Sequence, residues 1–177
     1  MPELDNKELD FSGERMVPGK ALDNFFQEHF QRYQFARCFA RDKYMLDAGC
    51  GEGYGAQYLA EVARKVIAID NSAQAIEHAQ RQNSQANLEF IQMDATVASF
   101  DAESFDVICA FEIFEHLKDY ERFLAEAKRL LKPQGISIVS TPNKALHSPG
   151  RRSPRSPYHF REFYLSEFRE LLLRYFS

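Results

Sequence analysis

Residues 44–55 read Tyr-Met-Leu-Asp-Ala-Gly-Cys-Gly-Glu-Gly-Tyr-Gly. An apolar run ends in glycines at 49, 51, 53 and 55, and a helical pattern from Ala56 to Ala63 follows. A strand entering a glycine-dense turn and leaving as a helix lets backbone approach a ligand closely, while the helix aims its free N–H groups at the same place. Gly51, Gly53 and Ala56 even satisfy the dinucleotide spacing G-x-G-x-x-G/A. This segment therefore predicts a ligand cradle at the carboxyl end of a strand, without deciding which ligand.

Further along the chain, strand-like segments end in carboxylates. Lys65–Asp70 places Asp70 where an acidic residue would bind the ribose hydroxyls of an adenosine, and Leu88-Glu-Phe-Ile-Gln-Met leads to Asp94-Ala95. Both aspartates also suit helix caps, before the segments starting at Ser72 and after Ala95. The apolar runs predict strands at 44–49, 65–70, 88–92, 105–111 and 136–141, separated by helices at 54–63, 72–83 and 119–131. Lys132-Pro-Gln-Gly135 is expected to stop the last of these helices. Such alternation predicts a doubly wound, mostly parallel α/β sheet of Rossmann type with helices on both faces. Its ligand would sit at the carboxyl ends of the strands, where the glycines and carboxylates lie.

Composition excludes several classes. A chain of 177 residues with 45% hydrophobic content can bury one core, and a net charge of −4 offers no overall field to gather nucleic acid. Cys38, Cys50 and Cys109 form no metal-type or redox pair. No apolar run approaches the ~20 residues of a bilayer span, and the start of the chain has no leader pattern, so a cytoplasmic location is expected.

Asp47 with Asp-Ala-Gly-Cys-Gly-Glu-Gly, then Asp70, Asp94-Ala95 and Phe111-Glu-Ile-Phe-Glu-His116, resembles the class I S-adenosylmethionine-dependent methyltransferases. The resemblance runs from about residue 11 to the end, with the stations in the family's order. It implies S-adenosyl-L-methionine as cofactor. Gly49, Cys50, Gly51 and Gly53 would pass under the methionine moiety and Asp47 would lie near its ammonium. Asp70 and Asn71 would hold the ribose, Asp94 and Ala95 the adenine, with Phe111 beside them.

Ser12-Gly-Glu-Arg-Met-Val-Pro-Gly19 followed by Glu28-His29-Phe-Gln-Arg-Tyr33 resembles the lead-in of bacterial methyltransferases found beside cell-surface polysaccharide genes. By that resemblance Arg15, His29 and Tyr33 close over the cofactor's amino-acid end; the alternative is that His29 and Tyr33, one turn apart, only pack a helix on the sheet. Residues 1–41 are read as an arm and helix covering the cofactor site, and 42–177 as the methyltransferase core. That class ordinarily continues past its fifth strand into a hairpin. Here the helix 165–175 is followed only by Phe176-Ser177, which leaves a core cut from a longer polypeptide or a reduced five-stranded version, and the apolar ending Leu-Leu-Leu-Arg-Tyr-Phe favours the first. Strand 136–141 would then be an exposed edge, open to self-association or covered by the arm.

Glu112, Glu115 and His116 follow the fourth strand, where an acceptor would meet the methyl group, and His159 precedes the last helix. If 112–116 were helical, Glu112 would lie one turn from Glu115 and His116. The alternative is that Phe111, Ile113, Phe114 and Leu117 are core and the glutamates merely occupy a helix start. E-x-x-E-H with a later His resembles the metal-dependent 2′-O-methyltransferases of small-RNA 3′ ends, and its first part the ubiquinone-pathway O-methyltransferases. Those resemblances imply Glu115, His116 and His159 in catalysis and a divalent metal on Glu112, Glu115, His116 and His159. The loop 143–157 carries Arg151, Arg152 and Arg155 and suits a lid over an anionic acceptor. The expected activity is O-methylation of a carbohydrate or other small hydroxyl acceptor, with an RNA 3′ end or a cofactor-binding module of a larger glycan-modifying enzyme as alternatives.

Overall fold

Five short runs of buried apolar residues pair into one parallel sheet. In the computed structural model, which describes residues 23–176, these are β1 (Tyr44–Ala48), β2 (Lys65–Asp70), β3 (Leu88–Gln92), β4 (Phe105–Phe111) and β5 (Leu131–Ser140). Their order across the sheet is β3-β2-β1-β4-β5, and every pairing is parallel. The helices are α1 (Asp23–Arg37), α2 (Tyr54–Ala60), α3 (Ala73–Gln82), α4 (Tyr120–Leu130), the single turn α5 (Lys144–His147) and α6 (Leu165–Leu173). Parallel strands need crossovers, and α2, α3 and α4 supply three of them.

Strand alternation divides the core into two layers. Met45, Val66, Val107 and Phe111 face one cluster with Tyr33, Leu59, Ile76 and Phe90, whereas Leu46, Ile67, Ile69 and Ile108 face the other with Phe114, Phe123, Leu124 and Leu130. Asp47 has the parity of Met45, so its carboxylate points into the first layer, toward α1. The chain order reverses between β1 and β4, which leaves a crevice at their carboxyl ends.

The expected elements form with shifted boundaries. Ser72 is the N-cap of α3, its hydroxyl accepting from Ala75 N–H, and Asp119 caps α4 in the same way through Arg122 N–H. The segment after Ala95 is only a 3₁₀ turn, Ala95–Val97. Strand β5 starts at Leu131, earlier than the proline suggests, and pairs with β4 through a register shift between Phe105 and Val107. Among the described residues β5 pairs only with β4, and the sheet has five strands. The arm expected to cover that edge, with Arg15, lies outside the described residues. No described helix is long and apolar enough to cross a membrane.

Candidate active site

The turn after β1 is anchored to β2. Gly49 and Cys50 both donate their N–H to Ile69 O, at 2.8 and 3.0 Å, and Gly51 N–H donates to Asp70 Oδ2 at 2.9 Å. Asp70 Oδ1 accepts from Ser72 N–H at 2.8 Å, so one carboxylate ties the glycine turn to the start of α3. Gly49 and Gly51 hold φ of 78° and 53°, in the left-handed region that a side chain disfavours. A Cβ on Gly49 would stand 2.2 Å from Ile113 Cγ2, so the turn packs directly on the chain leaving β4.

A cleft of about 1430 Å³ opens over these strand ends. At one end it is lined by Gly49, Cys50, Gly51, Asp70, Asn71, Asp94 and Ala95, flanked by His29, Tyr33 and Phe111. Asp94 Oδ1 accepts from both Thr96 N–H and Thr96 Oγ1–H at 2.8 Å, so it does cap the 3₁₀ turn while lining the cleft. His29 Nδ1 lies 2.8 Å from the Tyr54 hydroxyl, and burial, with the neighbouring Arg32 charge, holds its imidazole below the usual range.

Two expected cofactor residues do not reach the lining. Gly53 lies behind it, with φ of 82° and a position where a Cβ would meet the Phe90 ring at 2.6 Å, so its glycine serves packing between the turn and β3. Asp47 is completely buried one layer below, where the Tyr33 hydroxyl donates to Oδ2 at 3.2 Å. Burial raises its carboxyl from the ordinary 3.8 to about 7, against the opposing effect of the Tyr33 hydrogen bond. A half-ionised carboxylate beneath a glycine cradle suits a ligand that brings a positive charge. S-adenosylmethionine, with an ammonium, a sulfonium and an adenosine, fits this donor set, with Asp70 and Asp94 at the cradle's rim.

The other end of the cleft gathers the polar residues that follow β4 and β5. Glu112 has φ of 54° and so is not on a helix with Glu115; the 3₁₀ turn begins only at Phe114. Its carboxylate accepts from Ser140 Oγ at 2.7 Å and lies 3.2 Å from Arg32 Nη2, which draws it away from the expected quartet. Glu115, His116 and His159 do come together, with donor atoms within 4.8 Å of one another. Glu115 is 1% exposed and accepts from Thr141 Oγ1 at 2.9 Å; burial, then the Glu112 charge, raises its carboxyl to about 8. His116 Nδ1 is 3.2 Å from Tyr158 O and its Nε2 is 3.9 Å from Glu115 Oε1. Phe114 is buried core, as the alternative reading of this segment requires, while the glutamates beside it face the cleft.

Sequence reasoning missed Arg32, Tyr54, His147 and Glu162. His147 lines the far wall and Glu162 lies buried behind it, His147 Nδ1 and His159 Nδ1 lying 2.7 and 2.9 Å from Glu162 Oε1. The spacing of His159 and Glu162, three residues apart, was a usable signal; His147 lies across a twelve-residue separation and gave none.

A protein-family model described as "Methyltransferase domain" matches residues 46–139, more than half of the chain. A probable S-adenosylmethionine-dependent methyltransferase from Mycolicibacterium smegmatis is 41% identical over 93% of this chain, which spans 63% of that protein's length. A ubiquinone biosynthesis O-methyltransferase from Rhodopseudomonas palustris is 37% identical over 56% of this chain and 40% of its own length. Among solved structures, an S-adenosylmethionine-dependent methyltransferase from Aquifex aeolicus superposes with a TM-score of 0.71 at 22% identity, covering 87% of this chain and 83% of that one, which speaks for the fold alone. With the glycine turn, the two rim aspartates and the sheet order in agreement, the chain belongs to the S-adenosylmethionine-dependent methyltransferase-domain family.

Proposed function

We propose that this site transfers a methyl group from S-adenosylmethionine to a hydroxyl oxygen of a carbohydrate or other small acceptor. The observation that carries the reading is His116. Tyr158 O can only accept, so with the hydrogen on His116 Nδ1 facing it at 3.2 Å, Nε2 is the basic nitrogen of the ring. That nitrogen belongs to a residue lining the same cleft as the cofactor stations. The R. palustris relative's name, an O-methyltransferase, supports oxygen as the acceptor atom.

When bound, the cofactor supplies an electrophilic methyl group on a sulfonium. The chain's own residues then have two tasks. The glycine turn, Asp70 and Asp94 fix one reactant, and Glu112, held by Arg32 and Ser140, fixes the wall on which the other rests. His116 accepts the hydroxyl proton, while Glu115, largely protonated at neutral pH, adds little negative charge to oppose the acceptor's approach.

His116→Ala should lower methyl transfer by about 10²–10⁴-fold and leave S-adenosylhomocysteine affinity unchanged. The assay is radiolabelled transfer to sugars, glycolipid extracts and short RNAs with the full-length gene product. The exposed Arg151, Arg152 and Arg155 favour a second reading, an RNA 3′ terminus, and the net charge of −4 opposes it. Label entering only RNA would replace the carbohydrate reading with the second, and transfer undiminished in the His116 variant would remove the base assigned here.

A further inference from the structure

Glu162 is a buried carboxylate away from the cofactor end of the cleft. It lies in the segment before α6 with a side chain 0% exposed. Its Oε1 stands 2.7 Å from His147 Nδ1 and 2.9 Å from His159 Nδ1, and the two imidazole rings lie 5.3 Å apart, 28° from parallel. Ser148, also completely buried, is a further hydrogen-bond partner of this carboxylate. Two imidazole nitrogens thus share one carboxylate oxygen, which sets an anionic oxygen between two nitrogen donors.

A cation suits this cluster, because it neutralises the carboxylate and takes both nitrogen lone pairs. All three donor atoms lie within 4.8 Å of one another. The oxygen–nitrogen separations are close to the roughly 2.9–3.3 Å edges expected of a coordination shell with bonds of about 2.0–2.2 Å. We propose that His147, His159 and Glu162 form a divalent transition-metal site that clips together the two ends of the basic loop. Two nitrogens and one oxygen suit Zn²⁺ or Co²⁺ and disfavour Mg²⁺ and Ca²⁺, which take oxygen shells. His147 closes α5 and His159 follows the loop, so the ion would tether residues 148–158, including the exposed Arg151, Arg152 and Arg155. His147 and His159 also line the cleft, so the ion would face the acceptor. That use rests on the methyl-transfer reading, whereas ion binding does not.

His159 also belongs to the group with Glu115 and His116, so the test must separate the two locations. The full domain is stripped with chelator and titrated with ZnCl₂, with MgCl₂ as control, by calorimetry. Trypsin cleavage at Arg151, Arg152 and Arg155 is followed with and without ZnCl₂. The expected results are one Zn²⁺ per chain and slower loop cleavage when it is bound. His147→Ala and Glu162→Gln should each weaken binding by more than about tenfold and abolish the protection, while His116→Ala keeps both. The His147 side chain is 42% exposed, so its replacement tests the site without disturbing the core. No Zn²⁺ binding below about 1 mM, or binding lost in His116→Ala and kept in His147→Ala, overturns the proposal.

Discussion

Asp47→Asn should make the protein more stable and a poorer binder of its cofactor. The carboxyl is raised from 3.8 to about 7 by burial, so the folded state holds its proton more tightly than the unfolded chain does. Its contribution to stability is therefore fully present below pH 3.8 and is lost as the pH rises through 7. Above pH 7 the folded protein carries a buried ionised carboxylate relieved mainly by the Tyr33 hydroxyl. Asparagine keeps the shape and removes the charge, so thermal unfolding at pH 8 should show a gain on the order of 2 kcal/mol that shrinks toward pH 4. The same change should weaken S-adenosylhomocysteine by about tenfold, because the ligand's ammonium loses the negative charge buried beneath the cradle. In the unsubstituted protein the affinity should fall below pH 7, by up to about tenfold per pH unit, because binding must then expel a proton. Unchanged affinity in the variant would show that Asp47 serves only the fold.

Gly55→Ala should act on stability and cofactor together. A Cβ there would stand 2.0 Å from Tyr33 Cζ and 2.2 Å from Cε1, inside a ring that is 3% exposed and cannot swing away. Overpacking of this kind costs about 1–3 kcal/mol, or roughly 2–12 °C in melting temperature for a chain of this size. Any displacement of Tyr33 also withdraws its hydroxyl from Asp47, so cofactor affinity falls too. Gly150→Ala is the control. It has φ of 70° but nothing within 4 Å of its Cβ, so it should cost only the roughly 1–2 kcal/mol of left-handed backbone and leave binding unaffected. Equal losses of affinity in the two variants would refute the link through Tyr33.

The sheet was legible because β1 to β4 are short apolar runs closed by glycine or a carboxylate, and buried parallel strands leave little else possible. Asp70 and Asp94 line the cleft for the same reason: each stands at or just beyond a strand's carboxyl end. Boundaries were less legible at Leu131–Gly135, where the pairing with β4 carries the strand through a proline that local rules read as a stop. Gly53 looked like a ligand glycine because the residue that forbids its side chain, Phe90, is 37 positions away and became visible only with β3 in place. Glu112 failed a helical spacing argument because its backbone turns left-handed before the 3₁₀ turn starts, and Arg32, 80 residues earlier, fixes where its carboxylate goes. Glu115, His116 and His159 could be named because the first two are adjacent and the third shares a recurrent pattern. Their closeness to Glu162 and His147 depends on how a proline-rich loop closes, which no local signal encodes.

The most direct measurement is calorimetric titration of the purified domain with S-adenosylhomocysteine and, separately, with NAD⁺, since the glycine spacing alone admits either class of nucleotide. The account predicts one S-adenosylhomocysteine site per chain, weakened by Asp47→Asn, and no heat from NAD⁺. Saturable NAD⁺ binding with no response to S-adenosylhomocysteine would contradict it.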